Sequence, residues 1–203
     1  PKDAGNRLSP FRDQMLSHLP FFNLPDHMTA EHVREQKPFL LFSIMAVTAR
    51  SVKAQSLMST VIREHVARKM IVENQKSMDL LLGLLVFLGW YSAHLHASWR
   101  LHLTLMGSLA MSLVYDLCLD KSPTPPSFRL LCAPKPTAAL EERTVEMRRA
   151  SLACFYLTAN IAQNSKRLKG LSWTAQYDED VKLLTQKQDC KGDRVLVALV
   201  NVQ

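Results

Sequence analysis

The chain has 203 residues, 47% of them hydrophobic and 21% charged, with no biased stretch. That is the usage of a foldable globular domain, which excludes a disordered chain, a collagen-like chain and a disulfide-stapled mini-protein. The formal charge is +7, and six glycines stand against ten prolines, which argues against the glycine-rich loops that cradle phosphates. One α-helical domain over 1–203 is expected. It opens on PKDAGNRLSP without methionine or a signal-peptide pattern, so the native chain is expected to extend past both ends.

The apolar period is helical nearly throughout, and the expected fold is all-α, an irregular multi-helix bundle around a central apolar pair. Phe11 to Leu24, interrupted by Pro20, predicts one short helix and an extended strap. Thr29 is a suitable N-cap for a helix through Gln36, and Pro38 suits the first turn of the next, Phe39 to about Arg50. Lys53 to Asn74 predicts a longer helix with Leu57, Val61, Val66 and Met70 as its inner stripe. Ser77 caps the most apolar helix, Met78 to about His94. Its run Leu80 to Tyr91 is twelve residues, against roughly 20 for a membrane span, which predicts a buried central helix. Trp99 to Leu117, with Leu101, Leu105, Leu109 and Leu113, should pair with it antiparallel. Pro123, Pro125, Pro126, Pro134 and Pro136 then forbid regular helix over a long connection. Helix resumes with Thr137 as a cap and runs to about Asn164. Ser172 or Thr174 caps a segment through Asp189, and the β-branched run Arg194 to Gln203 fits a helix better than a strand.

Candidate chemistry is sparse. His94, His96 and His102 form the densest group of metal ligands or bases, yet residues two apart on a helix diverge by about 200°, and no HExxH or carboxylate set completes a site. The cysteines at 118, 132, 154 and 190 have no metal-ligand spacing and read as reduced thiols. Cys154 sits in an apolar helix where a thiol is an inert small hydrophobe. Asp116 closes its helix against the macrodipole and reads as a partner for a neighbouring element rather than a general base. Nine methionines with Trp90, Trp99 and Trp173 either fill a core or line a pocket for a greasy effector. Arg148, Arg149, Lys166, Arg167 and Lys169 are not interleaved with stacking aromatics, and Glu141, Glu142 and Glu146 offset them, which argues against direct nucleic-acid binding.

Several segments, in order, resemble one family. Leu84 to Tyr91, with Gly89, Trp90 and Tyr91, is similar to the core segment of the middle homology region of fungal binuclear zinc-cluster transcription factors. The opening FRDQMLSHLPFFNLP and TAEHVREQKPFLLFSIMAVTA resemble that region's start. Leu109 to Leu119, with Asp116, resembles one of its helix ends. Arg148-Arg149-Ala150 with Cys154-Phe155-Tyr156-Leu157 resembles its strongest signature, and Leu171 to Thr174, with Trp173, the segment after it. The resemblance implies a nuclear, non-enzymatic regulatory domain that controls gene expression with the transcription machinery or co-regulators. It leaves open a hydrophobic small-molecule effector and a homodimer, and no membrane partner is expected. DNA would be read only through an N-terminal zinc cluster outside this chain, so no residue here is assigned to DNA and no cofactor is expected here, zinc belonging to that missing region. The resemblance also implies that at least one of Arg148 and Arg149 is held by buried carboxylates or helix-end carbonyls, with Asp116 the expected partner. The competing readings are an all-α metal-dependent enzyme using His94, His96 and His102, and an effector-free scaffold.

Overall fold

In the computed structural model, which describes residues 2–91, 99–121, 143–165, 168–187 and 189–203, every residue from Leu80 to Leu88 is buried. A helix apolar on all sides has no wet face to offer, and its neighbours enclose it. Nine α-helices and no strand occur among the described residues, so the chain is all-α. They are α1 (Lys2–Pro10), α2 (Ala30–Gln36), α3 (Pro38–Val47), α4 (Val52–Val66), α5 (Met78–Tyr91), α6 (Trp99–Asp116), α7 (Val145–Ser165), α8 (Ala175–Lys187) and α9 (Gly192–Asn201). The central α5 packs on α3, α6 and α7, and α7 also carries α8 and α9. The buried apolar side chains form one cluster reaching from Leu8 to Val200.

The caps explain several boundaries. Thr29 Oγ1 accepts the His32 N–H at 3.3 Å at the start of α2, and Ser77 Oγ accepts the Leu80 N–H at 3.2 Å at the start of α5. Pro38 occupies the first turn of α3. The next two N–H groups there are taken by Asp79 of α5, from Phe39 at 3.1 Å and Leu40 at 2.8 Å. Thr174 sits before α8, but its hydroxyl donates to the Asp120 carbonyl at 3.1 Å. The last run is helix α9, because Leu196 and Val200 are buried on one face and packing overrides local β-propensity.

Four expectations need correction. The chain is helical from Lys2, with Leu8 and Phe11 buried on one side. At Pro10 the missing N–H breaks the ladder, which widens to π-type bonding over Phe11–Met15, with the Leu16 N–H donating to the Phe11 carbonyl at 2.8 Å. In α4 the inner line is Ser59, Ile62 and Val66, whereas Leu57 and Val61 are exposed. Positions 57 and 61 sit about 100° from the line through 58 and 62, so the stripe read from sequence mixed two faces. In α6 Leu105 is exposed, and the buried set is Leu103, Met106, Ala110, Leu113 and Val114. A strict four-residue step overshoots each turn by about 40°, and such a row spirals off the buried face. Finally, α7 starts at Val145 with Thr144 as its cap, accepting the Met147 N–H at 3.2 Å. Thr137 and the proline-rich connection lie outside the described residues.

Two close approaches yield predictions. A Cβ on Gly83 would stand 2.4 Å from Phe39 Cδ1 and 3.0 Å from Ser43 Oγ, because α3 and α5 meet there without room for a side chain. Gly83→Ala is expected to lower the unfolding free energy by about 1–3 kcal/mol through overpacking, read from urea unfolding. After α6, Cys118 adopts a left-handed φ of 54°. It closes a Schellman cap in which the Leu119 N–H donates to the Val114 carbonyl at 2.9 Å and the Cys118 N–H to Tyr115 at 3.0 Å. The thiol is exposed, so Cys118→Gly removes backbone strain without losing a contact. It should raise stability by about 0.5–1 kcal/mol, net of glycine's entropy cost, seen as a higher thermal midpoint.

Candidate functional site

The signature helix α7 enters the core with two charged side chains. Arg149 is buried and makes a two-pronged ion pair with Asp193 at the start of α9: Nε to Oδ1 at 2.6 Å and Nη2 to Oδ2 at 3.0 Å. Planar guanidinium matches planar carboxylate, the geometry that gives such pairs their strength. Asp193 also accepts the Cys190 N–H at 3.3 Å. There is no room for a side chain at Gly192, where a Cβ would lie 2.4 Å from Pro20 Cβ, so the strap seals this corner. One residue earlier, Arg148 donates to Asp180 of α8, which is fully buried. Arg143 reaches the same carboxylate, Nη2 to Oδ2 at 3.1 Å, and also donates to the Leu119 carbonyl. Gln176 Nε2 adds a bond to Asp180 Oδ1 at 3.0 Å, and Ser151 Oγ donates to the Leu119 carbonyl at 3.1 Å. Arg148 and Arg149 of α7 therefore lock α8 and α9 to one helix, while Arg143 just before it and Ser151 on it hold the turn after α6.

Asp116 takes no part in this lock. It sits at the partly exposed end of α6, 3.3 Å from Lys76, a pair of small worth in water. The Schellman turn carries the chain on past Asp116, so the Leu119 carbonyl, rather than the aspartate, receives Arg143 and Ser151.

Electrostatics follow the geometry. Burial pushes the Asp193 carboxyl up, but the Arg149 hydrogen bonds and charge, with those from Cys190, outweigh it and hold the group below the ordinary 3.8. A depressed carboxylate contributes stability that is complete above the unfolded value and is lost as pH falls through the folded one. Asp79 runs the other way. Its burial outweighs the two backbone bonds and raises it, so its ionisation on going to neutral pH removes stability. Unfolding free energy measured from about pH 5 downward should fall more steeply in the wild type than in an Arg149→Met/Asp193→Leu double variant, which keeps Asp79 but lacks the pair.

The other signature residues divide between core packing and the wall of a cleft. Trp90 packs edge-on against Phe11, with ring centroids 5.0 Å apart, and also against Phe21. Trp173 lies on Phe155 and Tyr177 and donates Nε1–H to Asp178 at 3.0 Å. Cys154 is fully buried, and desolvation raises its thiol far from the thiolate, the opposite of what a nucleophile needs. Gly89 and Tyr156 line a cleft of about 430 Å³, bounded by Leu19, Leu103, Leu157 and Ile161 with Asn160 and Asn164. The amide nitrogens of Asn160 and Asn164 donate within α7, to the Tyr156 and Asn160 carbonyls, so these residues offer a ligand their amide oxygens. Among the described residues no methionine or tryptophan lines this cleft, Met106 is buried and several other methionines pack against the core. His102 is half-buried on α6, His94 and His96 lie outside the described residues, and no group of three metal-binding side chains occurs among those described. The side chain of Tyr91 is likewise outside them. No helix among the described residues is long and apolar enough to cross a membrane.

This architecture is that of an all-helical module whose signature charges are spent on internal architecture. The chain belongs to the WAR1 C-terminal domain family, whose model matches residues 1–201. It is similar to the transcription factor opdL of Penicillium oxalicum, 34% identical over 97% of this chain and 36% of that protein. It is also similar to the transcription factor himD of Aspergillus japonicus, 27% identical over 97% of this chain and 33% of that protein, and to the transcriptional regulator WAR1 of Candida albicans, 25% identical over 95% and 21%. The chain thus spans about a third or less of the length of these relatives. No solved structure matches it. The resemblance to a fungal transcription-factor domain, read from the ordered segments, agrees with these matches.

Proposed function

We propose that the chain is the regulatory, effector-sensing domain of a fungal-type transcription regulator that acts in the nucleus, has no catalytic activity, and leaves DNA reading to a zinc cluster elsewhere in the longer protein. The observation that carries this is the match over nearly the whole chain to a family whose similar members are named transcription factors. The chain itself needs no cofactor, and its partners are co-regulators or the transcription machinery.

The cleft between α5, α6 and α7 supports the sensing part of this reading. Its walls are apolar, its volume is of the size that takes a small molecule, and its polar edge presents acceptors. The effector class that fits is an apolar molecule with a hydroxyl or amine donor. Helix α7 carries the cleft at one end and the arginine lock at the other, so a ligand that favours one seating of α7 shifts the population of that arrangement.

Thermal unfolding of the purified chain with medium-chain alcohols and amines, nucleotides and zinc chloride tests this, because a ligand of the folded state raises the midpoint by mass action. A rise with the alcohols or amines, lost in an Ile161→Trp variant that fills the cleft, is expected. A zinc-specific rise lost on substitution of His94, His96 and His102 would replace this reading with the metal-dependent one, and no shift with any compound would leave an effector-free scaffold.

A further inference from the structure

Helix α4 and the π-helical segment that continues it, Ala67–Val72, carry an apolar strip on their wet side. Lys53, Leu57, Val61, Glu64, Arg68 and Val72 recur by four, four, three, four and four residues, the spacing of one helix face, and all six are exposed. Leu57 is 69% exposed and Val72 78%, although Ile62 and Val66 one face away are fully buried.

The surroundings of the strip are basic. Residues 50–76 hold six Lys or Arg against two Glu. Lys69 is spent on Glu73 at 2.8 Å and Lys76 on Asp116 at 3.3 Å. Arg50, Lys53 and Arg68 have no carboxylate within ion-pair distance among the described residues.

Beside the strip, and sharing Val61 as a wall, lies a second cleft of about 390 Å³. Phe39, Phe42 and Leu80 give it an apolar lining, and His65 stacks on Phe39 with ring centroids 4.8 Å apart. Its one carboxylate among the described residues, Asp79, already accepts two backbone N–H groups of α3, and Lys69 on its lining is paired with Glu73, so the cations left for a partner are Lys53 and Arg68 of the strip.

We propose that this strip and cleft dock an acidic amphipathic helix of a partner protein. The partner's apolar residues, at three- and four-residue spacing, lie along Leu57, Val61 and Val72. One bulky apolar side chain enters the cleft as an anchor, and its Asp and Glu residues face Lys53 and Arg68. A second copy of the chain fits poorly, since a two-fold contact would set these cations against each other. A flat lipid surface has no side chain to fill a concave cleft. The inference stands independently of the effector reading.

Fluorescence anisotropy of a labelled synthetic helical peptide tests it, with Leu and Phe at three- and four-residue spacing and Asp and Glu elsewhere, titrated with the purified chain. A control peptide carries Lys in place of every acid. The acidic peptide should bind with a micromolar Kd that weakens with salt, and the control should not. Lys53→Glu/Arg68→Glu and, separately, Val61→Glu should each weaken binding at least about tenfold. These positions are exposed, so the circular dichroism spectrum and thermal midpoint should stay unchanged. Equal binding of the two peptides, or no saturation below millimolar chain, would overturn the proposal. So would a sedimentation dimer abolished by Val61→Glu, which would make the strip a contact between copies. Binding to phosphatidylserine vesicles that the same variants abolish, with no peptide binding, would make it a membrane face.

Discussion

Replacing Arg149 by methionine is expected to cost about 3–5 kcal/mol of unfolding free energy, because it leaves the Asp193 carboxylate in the core without its partner. Asp193 is 1% exposed, so water cannot take over the two lost hydrogen bonds. Against the 5–15 kcal/mol typical of a domain, this would leave the chain barely folded, and α9 with the strap at Pro20 should loosen first. Arg149→Lys keeps the charge but loses the two-pronged geometry, and its cost should fall between wild type and methionine. Urea unfolding followed by circular dichroism measures all three, and a loss below about 1 kcal/mol for methionine would show that Asp193 finds water or another donor.

Asp180→Leu is expected to be comparably damaging, at about 3–5 kcal/mol, for the mirror-image reason. The carboxylate is completely buried and receives Arg143, Arg148 and Gln176, so its removal strands two guanidinium groups. The site lies at the foot of α8, where Tyr177 packs between Phe155 and Trp173. Detachment of α8 should therefore strip Trp173, already 43% exposed, of its contacts with Tyr177 and Asp178 and shift the fluorescence to the red at denaturant concentrations where the far-ultraviolet signal of the remaining helices is intact. A single coincident transition at the wild-type midpoint would contradict this.

The fold was legible because its signals are local. Ser77 before an all-apolar run, Thr29 ahead of a short helix and Pro38 in a first turn each act within four residues of themselves, and the helices begin there. The face of a partly apolar helix was harder to read. In α4 Leu57 and Val61 look like core by composition, but they lie on the strip that nothing within the described chain covers, and hydrophobicity alone does not say which of two apolar lines is inside.

The arginine pair was legible as a signature, whereas its partners were not. Asp180 is 32 residues from Arg148 and Asp193 is 44 from Arg149, distances over which no spacing rule acts. A signal was present nonetheless. Tyr177, Asp180 and Leu184 recur by three and four residues and are all buried, as do Asp193, Leu196 and Val200 by three and four. An acid standing in an apolar row is a charge on the core side of a helix, and a buried charge requires a buried counter-charge. Asp116 was the attractive partner because it ends a helix, but a helix-end acid with water beside it has no need of an arginine.

The central claim is that the signature of α7 is an architectural lock, not chemistry. A double-mutant cycle on Arg149 and Asp193, using Arg149→Met, Asp193→Leu and the combined variant in urea unfolding, tests it most directly. The lock predicts that each single variant is severely destabilised, that the double variant recovers much of the loss because no charge is left stranded, and that the coupling is at least about 2 kcal/mol. Additive losses, with a coupling below about 0.5 kcal/mol, would contradict it.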